Sequence, residues 1–220
     1  MKKYLFLTVC ITIFGYTAAA DNGGGAIVCR NKKGKVTYAE LYDLWEHRRL
    51  GISNRTKIEQ ETTSKNIAEF IAYLESWYPQ LTVALEIEII KIENAIHDSN
   101  KELVELPEIP ETEITLVEFP ARCPINENAT ATYEALITFT GDTQIDVSSA
   151  LLHNRPKSTI DALVLRAASY NLFRLKFNLI DTRAARAFTG IAASSKSRSQ
   201  KRALLEQLFN ANHIVDGESK

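Results

Sequence analysis

The chain has 220 residues, 45% of them hydrophobic and 24% charged, and its formal net charge at pH 7 is −1. This hydrophobic content is ample for a folded core, and about 200 residues suit one domain or two small ones. Beyond the N-terminal segment, no stretch offers about 18 uninterrupted apolar residues, which excludes a transmembrane helix there.

The N-terminus is typical of a secretory signal peptide. Lys2 and Lys3 precede a mostly apolar run over 4–16, and Ala18 and Ala20 supply the small residues of a signal-peptidase site. We expect residues 1–20 to be removed and 21–220 to form a single α+β domain, exported to the periplasm or beyond the cell. A lipoprotein interpretation would acylate Cys10, but its apolar run is too short and Val9 stands where a small residue is needed.

The first elements after the signal are a loop and a β-hairpin. Residues 23–25 are three glycines with no Lys-Ser/Thr after them, so we expect a pliable N-terminus and not a phosphate loop. Residues 26–38 then contain two Val- and Ile-rich runs around "NKKG", with Gly34 free to adopt a positive φ. That pattern predicts a hairpin.

The middle of the chain predicts two helices, a connector and more strands. The residues over 57–98 form a predicted helical hairpin that packs on the core or on a partner, although 81–90 also alternates like a strand. Residues 104–113 are an acidic connector with two prolines. Strands are expected at 114–118 and over 134–147, where "TGD" supplies a turn.

The C-terminal third is predicted to be helical. Pro156 and a capping box of Ser158 and Asp161 would begin a long helix over 160–179, and Asp181 would cap another helix ending at Ala193. A last helix surrounds residues 204–208. The expected fold class is α+β, predominantly helical, with a small antiparallel sheet near 26–38, 114–118 and 134–147.

Cys29 and Cys123 are the cysteines that remain after signal removal. In an exported chain, two cysteines indicate one disulfide. The alternatives are a nucleophilic thiol or a metal ligand, but neither residue has a second cysteine or a histidine at zinc-like spacing.

Charge is distributed unevenly along the chain. Residues 85–118 contain ten acidic and two basic residues, whereas 155–202 contain eleven basic and two acidic ones. The basic half could be a patch for nucleic acid or another anionic surface. The simpler interpretation is that the two halves attract each other within one fold, because the aromatic residues of the basic half fall inside predicted helices. We therefore do not expect nucleic acid as a partner.

The residues predict no catalytic, metal or cofactor site. The histidines stand far apart, at positions 47, 97, 153 and 213. Metalloprotease, serine-hydrolase, Walker and zinc-ribbon spacings are all missing. The residues thus favour a non-catalytic binding or structural protein over an enzyme.

Arg166 is unusual because it stands in the middle of an apolar helix. At about 100° per residue it shares a stripe with Tyr170, Phe173 and Phe177, so its guanidinium can stack on an aromatic ring. An arginine there is either paired between two layers or placed at the edge of a cleft.

Three segments resemble a group of uncharacterised exported proteins of predatory and related Gram-negative bacteria. They are "NGGGAIVCRNKKGKVTYAELYDLWE", "LVLRAASYNLFR" and "DTRAARAFTG". Cys29, Glu40, Leu41 and Asp43 fit the first segment of that group. The later segments are matched by Tyr170, Asp181, Arg183, Arg186 and Gly190.

This chain departs from the pattern of that group at one place on the apolar helix. Members of the group carry His-Glu on the apolar helix, a pair suggesting a remnant of a metal-dependent hydrolase, whereas this chain has Arg166 and Ala167. Arg166, Tyr170, Asp181, Arg183 and Arg186 are thus candidate residues of a former site or of a recognition surface. The alternative function is a divergent or degenerate metal-dependent hydrolase-like domain acting at the cell envelope. A periplasmic or cell-surface protein is the expected partner.

Overall fold

The computed structural model describes residues 21–42, 57–99, 129–141, 144–152, 155–180 and 182–216. Within these ranges the chain forms four strands and six helices, one of them only four residues long. In chain order they are β1 (Asp21–Asn31), β2 (Val36–Leu41), α1 (Lys57–Trp77), α2 (Pro79–Ser99), β3 (Ala129–Thr140), β4 (Gln144–Val147), α3 (Ser149–Leu152), α4 (Lys157–Phe177), α5 (Arg183–Ala193) and α6 (Arg198–Asn212). The predicted α+β class with helices predominating is confirmed.

The four strands form one antiparallel sheet in the order β2-β1-β3-β4. The hairpin turn is the predicted one, since Gly34 has a φ of 73° and its N–H donates to the Asn31 carbonyl at 2.8 Å. The strands predicted over 134–147 correspond to β3 and β4. The strand predicted at 114–118 and the connector at 104–113 lie outside the described residues.

The glycines at 23–25 belong to the sheet, so the expectation of a pliable N-terminus is wrong. β1 begins at Asp21 and pairs with β3 along its length, with irregularities on both sides of Gly24. A Cβ atom added at Gly24 would lie 2.7 Å from Leu163 Cδ1 and 3.7 Å from Arg166 Cγ. Glycine suits this position because any side chain there would have to displace the end of Leu163.

Helix α4 is the centre of the hydrophobic core. It packs against β1 on one side and against α1, α2 and α5 on others. Every residue from Ala162 to Phe173 is buried, which explains why its sequence shows no polar stripe. The ambiguous residues 81–90 are helical, and Leu81, Leu85 and Ile92 of α2 face the core.

The predicted capping box at the start of α4 is wrong. The N-cap is Pro156, and no side chain caps the helix there. Ser158 therefore stands at the second helical position, past the place where a side chain can cap. Asp161 instead accepts a hydrogen bond from Lys157 Nζ at 2.7 Å. The N-cap of α5 is Thr182, and Asp181 lies outside the described residues.

Candidate functional site

Arg166 is inside the molecule, between the sheet and the helical layer. Its side chain is 2% exposed, and its Cζ lies 5.6 Å from the centre of the Tyr170 ring. Tyr170 in turn contacts Phe139 of β3, with ring centres 5.9 Å apart, and donates to the Ile180 carbonyl at 3.4 Å. The predicted contact of the Arg166 guanidinium with an aromatic ring is observed, at a buried position.

The stripe predicted from Arg166 to Phe177 divides in two. Tyr170 faces the sheet, but Phe173 faces the other helices and contacts Phe188 and Phe209, with ring centres 5.6 and 6.4 Å away. The next residue, Arg174, faces the sheet, and its Cζ lies 5.5 Å from the Phe139 ring. Two charged residues of α4 thus lie against the sheet.

Two more of the predicted site residues, Arg183 and Arg186, stand on α5. Arg183 is exposed, and Arg186 is half-buried with its Cζ 5.8 Å from the ring of Tyr42. Cys29 is buried in β1. Cys123 and Asp181 lie outside the described residues, so the pairing of Cys29 with Cys123 stays a prediction.

A buried polar chain, unforeseen from the sequence, links α2 to α4 and the sheet. Glu88 is 7% exposed and accepts hydrogen bonds from Lys91 Nζ and Asn171 Nδ2, both at 2.6 Å. Arg174 Nη2 then donates to Asn171 Oδ1 and to the Gly141 carbonyl, both at 2.8 Å. Because each of these side chains has a hydrogen-bond partner, this buried polar network holds α2 in place on α4.

In the part of the chain that the structure describes, a surface cleft of about 460 Å³ lies between the end of α1 and the start of α6. We call it the Trp77 cleft. Its lining residues are Trp77, Ser197, Arg198, Ser199 and Arg202. Neither Trp77 nor the two arginines are among the candidate site residues predicted from the sequence.

Guanidinium groups lie over aromatic rings at the Trp77 cleft. Arg198 Cζ lies 4.8 Å from the Tyr73 ring centre and 5.5 Å from that of Trp77, and Arg202 Cζ lies 6.0 Å from the latter. Arg198 also donates from Nη2 to Ser76 Oγ at 2.9 Å. A guanidinium held flat on a ring keeps most of its N–H groups available at the edge of the plane.

The cleft is cationic. Arg198 has no acidic partner among the described residues, while Arg202 is paired with Glu206 at 2.8 Å on the helix surface. Burial raises the pKa of the neighbouring Tyr78 hydroxyl, with Glu206 adding to the shift and Arg202 opposing it. The first turn of α6 adds free backbone N–H groups, which favour negative charge.

A capping box positions these residues. Ser197 Oγ accepts from the Gln200 N–H at 3.4 Å, and Gln200 Oε1 accepts from the Ser197 N–H at 3.0 Å. The box begins α6 at Arg198 and places Arg198 and Arg202 one turn apart on the same face. The spacing of Ser197 and Gln200 is a capping signal that could have been found in the sequence.

Lys201 fixes the same helix from the inside. Its side chain is 2% exposed, and Nζ donates to the Ala192 carbonyl at 2.8 Å and to the Asn66 carbonyl at 3.4 Å. Burial lowers the pKa of Lys201 to about 8, and the Glu69 carboxylate opposes that shift. The ammonium group thereby joins α6 to the end of α5 and to α1.

Within the described residues, no group of three or more metal-ligating side chains comes together. His97 is exposed at the end of α2, and His47 and His153 lie outside those residues. In the same part of the chain, no helix has the length and apolar character needed to cross a membrane.

Comparison with protein-family models, with curated proteins and with solved structures gives no match. The resemblance to exported proteins of predatory bacteria therefore stays a prediction. The function is therefore proposed from the geometry of the Trp77 cleft.

Proposed function

We propose that the chain is an exported, non-catalytic binding protein that captures an acidic segment of a protein partner at the Trp77 cleft. The observation that carries this proposal is the stacking of Arg198 on both Tyr73 and Trp77. Guanidinium groups held on aromatic rings can bind carboxylates at their edges, and the exposed ring edges can contact apolar side chains.

The chemistry of the cleft supports binding more than catalysis. The guanidinium groups of its two arginines have no acceptor atom, so they do not serve as general bases. Ser197 is engaged in the capping box, and the described residues that line the cleft include no histidine or carboxylate to activate its hydroxyl. The residues that line the cleft thus offer positive charge, hydroxyl groups and a ring.

A calorimetric titration with a synthetic acidic peptide tests the proposal. The probe is a ten-residue peptide of glutamates with one central phenylalanine. We expect Arg198→Ala/Arg202→Ala to weaken its binding at least tenfold, since each charge-assisted hydrogen bond contributes about 1.5–3 kcal/mol. Raising the salt concentration should weaken binding to the unmodified protein in the same direction.

Lys32→Ala/Lys33→Ala is the matched control, because it removes the same charge from the exposed turn between β1 and β2. This control should bind the peptide as the unmodified protein does. Equal losses in the two double variants would show only a general effect of net charge and would contradict the proposed function.

A further inference from the structure

The side of α2 that faces away from the core carries an apolar ridge. Val83, Ile87 and Ile90 are 58%, 50% and 57% exposed. Positions separated by four and three residues lie on one face of a helix, so these side chains form a continuous strip. Single exposed aliphatic residues are ordinary, but a contiguous group of them marks an interaction surface. We call this strip the α2 ridge.

Negative charge accompanies the α2 ridge along one edge. Glu86 and Glu93 flank it there, and within the described ranges neither carboxylate is in an ion pair. The lysine on the opposite edge, Lys91, binds the buried Glu88. The ridge thus combines branched aliphatic side chains with two uncompensated carboxylates.

The same chain carries the complementary surface. The Trp77 cleft combines an aromatic ring with two guanidinium groups, and the α2 ridge combines apolar side chains with two carboxylates. Glu86 and Glu93 stand about 10 Å apart along the helix axis, a span that two long arginine side chains one turn apart can reach. Each surface supplies what the other lacks.

We infer that the Trp77 cleft of one molecule receives the α2 ridge of a second copy of this chain. The inference rests on the proposed function, because it names the acidic segment that the cleft captures. Glu86 and Glu93 would bind Arg198 and Arg202, while the ridge side chains would pack on the edge of the Trp77 ring. A second copy is favoured over an unrelated basic peptide, which could cover the ridge but would leave the cationic cleft uncovered.

Sedimentation velocity of the purified mature protein over a range of concentrations tests this inference. We expect concentration-dependent association that weakens at least tenfold between low and high salt. Arg198→Glu/Arg202→Glu and Glu86→Arg/Glu93→Arg should each stay monomeric. An equimolar mixture of these two variants should associate again, because the acidic cleft of one then faces the basic ridge of the other.

Two controls separate this contact from general effects of charge and hydrophobicity. Lys32→Glu/Lys33→Glu changes the net charge as much as the cleft variant does, and Ile180→Ser removes an apolar side chain that is 72% exposed elsewhere. Both should associate like the unmodified protein, whereas Ile87→Ser should not.

A monomeric protein at every concentration would overturn the inference, and so would association that the charge reversals leave unchanged. Failure of the inference is distinguishable from failure of the proposed function. A monomer that still binds the acidic peptide through Arg198 and Arg202 refutes self-association alone. A protein that neither associates nor binds the peptide refutes both.

Discussion

Arg166 and Lys201 are both almost fully buried cations, yet they illustrate different uses of a buried charge. The Arg166 guanidinium lies over the Tyr170 ring beneath β1, with its aliphatic stem close to Gly24. Lys201 sends its ammonium group to carbonyl oxygens of Ala192 and Asn66. The arginines of the Trp77 cleft, by contrast, are exposed on α6.

The buried ammonium group of Lys201 makes stability depend on pH. The pKa is about 8 in the folded protein and 10.5 in its ordinary state. Between these values the unfolded chain binds more protons, so the free energy of unfolding rises with pH, by about 3 kcal/mol over the whole window. Below pH 8 the group is protonated in both states and contributes no slope.

Urea unfolding at pH 7.5 and pH 10, compared between the unmodified protein and Lys201→Met, measures this contribution. The comparison is needed because other lysines and tyrosines titrate over the same range. We expect the stability difference between the two proteins to change by about 2–3 kcal/mol in favour of the unmodified protein at the higher pH. A difference that stays constant would mean that the pKa of Lys201 is ordinary.

At the scale of elements, the packing of β1 against α4 depends on the absence of a side chain at Gly24. A methyl group at Gly24 would lie 2.7 Å from Cδ1 of Leu163, a fully buried side chain that would have to shift. Gly24→Ala should therefore lower the free energy of unfolding by about 1–3 kcal/mol through overpacking.

A double-mutant cycle with Leu163→Val checks this explanation by chemical denaturation. Shortening Leu163 costs stability on its own, since it removes a buried methyl group. It should nevertheless relieve part of the clash, so the double variant should be more stable than the sum of the single effects predicts. Additive effects would place the cost of Gly24→Ala in the strand itself.

Helical periodicity let the sequence predict the long helices well, but not how they begin. The apolar spacing of α1, α4 and α6 and the turn at Gly34 were sufficient to locate those elements. The glycines of β1 were misinterpreted because a strand that approaches a helix closely looks like a flexible loop in sequence. The box of Ser158 and Asp161 failed because Pro156 begins the helix earlier, whereas the true box of Ser197 and Gln200 was overlooked.

The candidate site was harder to predict because it is assembled from distant segments. Trp77 and Arg198 are 121 positions apart in the sequence and meet only because α6 packs beside α1. Trp77 belongs to an apolar stripe, and spacing alone does not show which of its members ends at the surface. The charge asymmetry was visible in the sequence, but the ion pairs described within α2, α4 and α6 are local ones.

At the scale of the whole molecule, the predicted export and disulfide imply a defined covalent form. Intact-mass determination of the protein from its native host should give the mass of a chain beginning at Asp21. Alkylation should label two thiols after reduction and none before it, as expected if Cys29 is bonded to Cys123. Retention of residues 1–20, or labelling of Cys123 without reduction, would contradict the prediction of an exported chain with a Cys29–Cys123 disulfide.

The described part of the molecule carries two surfaces of opposite charge. One end of the helical layer carries the cationic Trp77 cleft, and α2 carries the α2 ridge, which has carboxylates along one edge. Because arginine side chains on rings lose little freedom on binding, such a cleft is organised before its ligand arrives. This preorganisation is the physical basis of the proposed binding function.

A nuclear magnetic resonance titration of the protein with the acidic peptide tests the central claim most directly. We predict salt-sensitive shifts of the indole N–H of Trp77 and of the side-chain N–H signals of Arg198 and Arg202, while the amides of Lys32 and Lys33 stay unchanged. Shifts that spread over every basic residue, or a Trp77 signal that does not move at saturation, would contradict a binding site in the cleft.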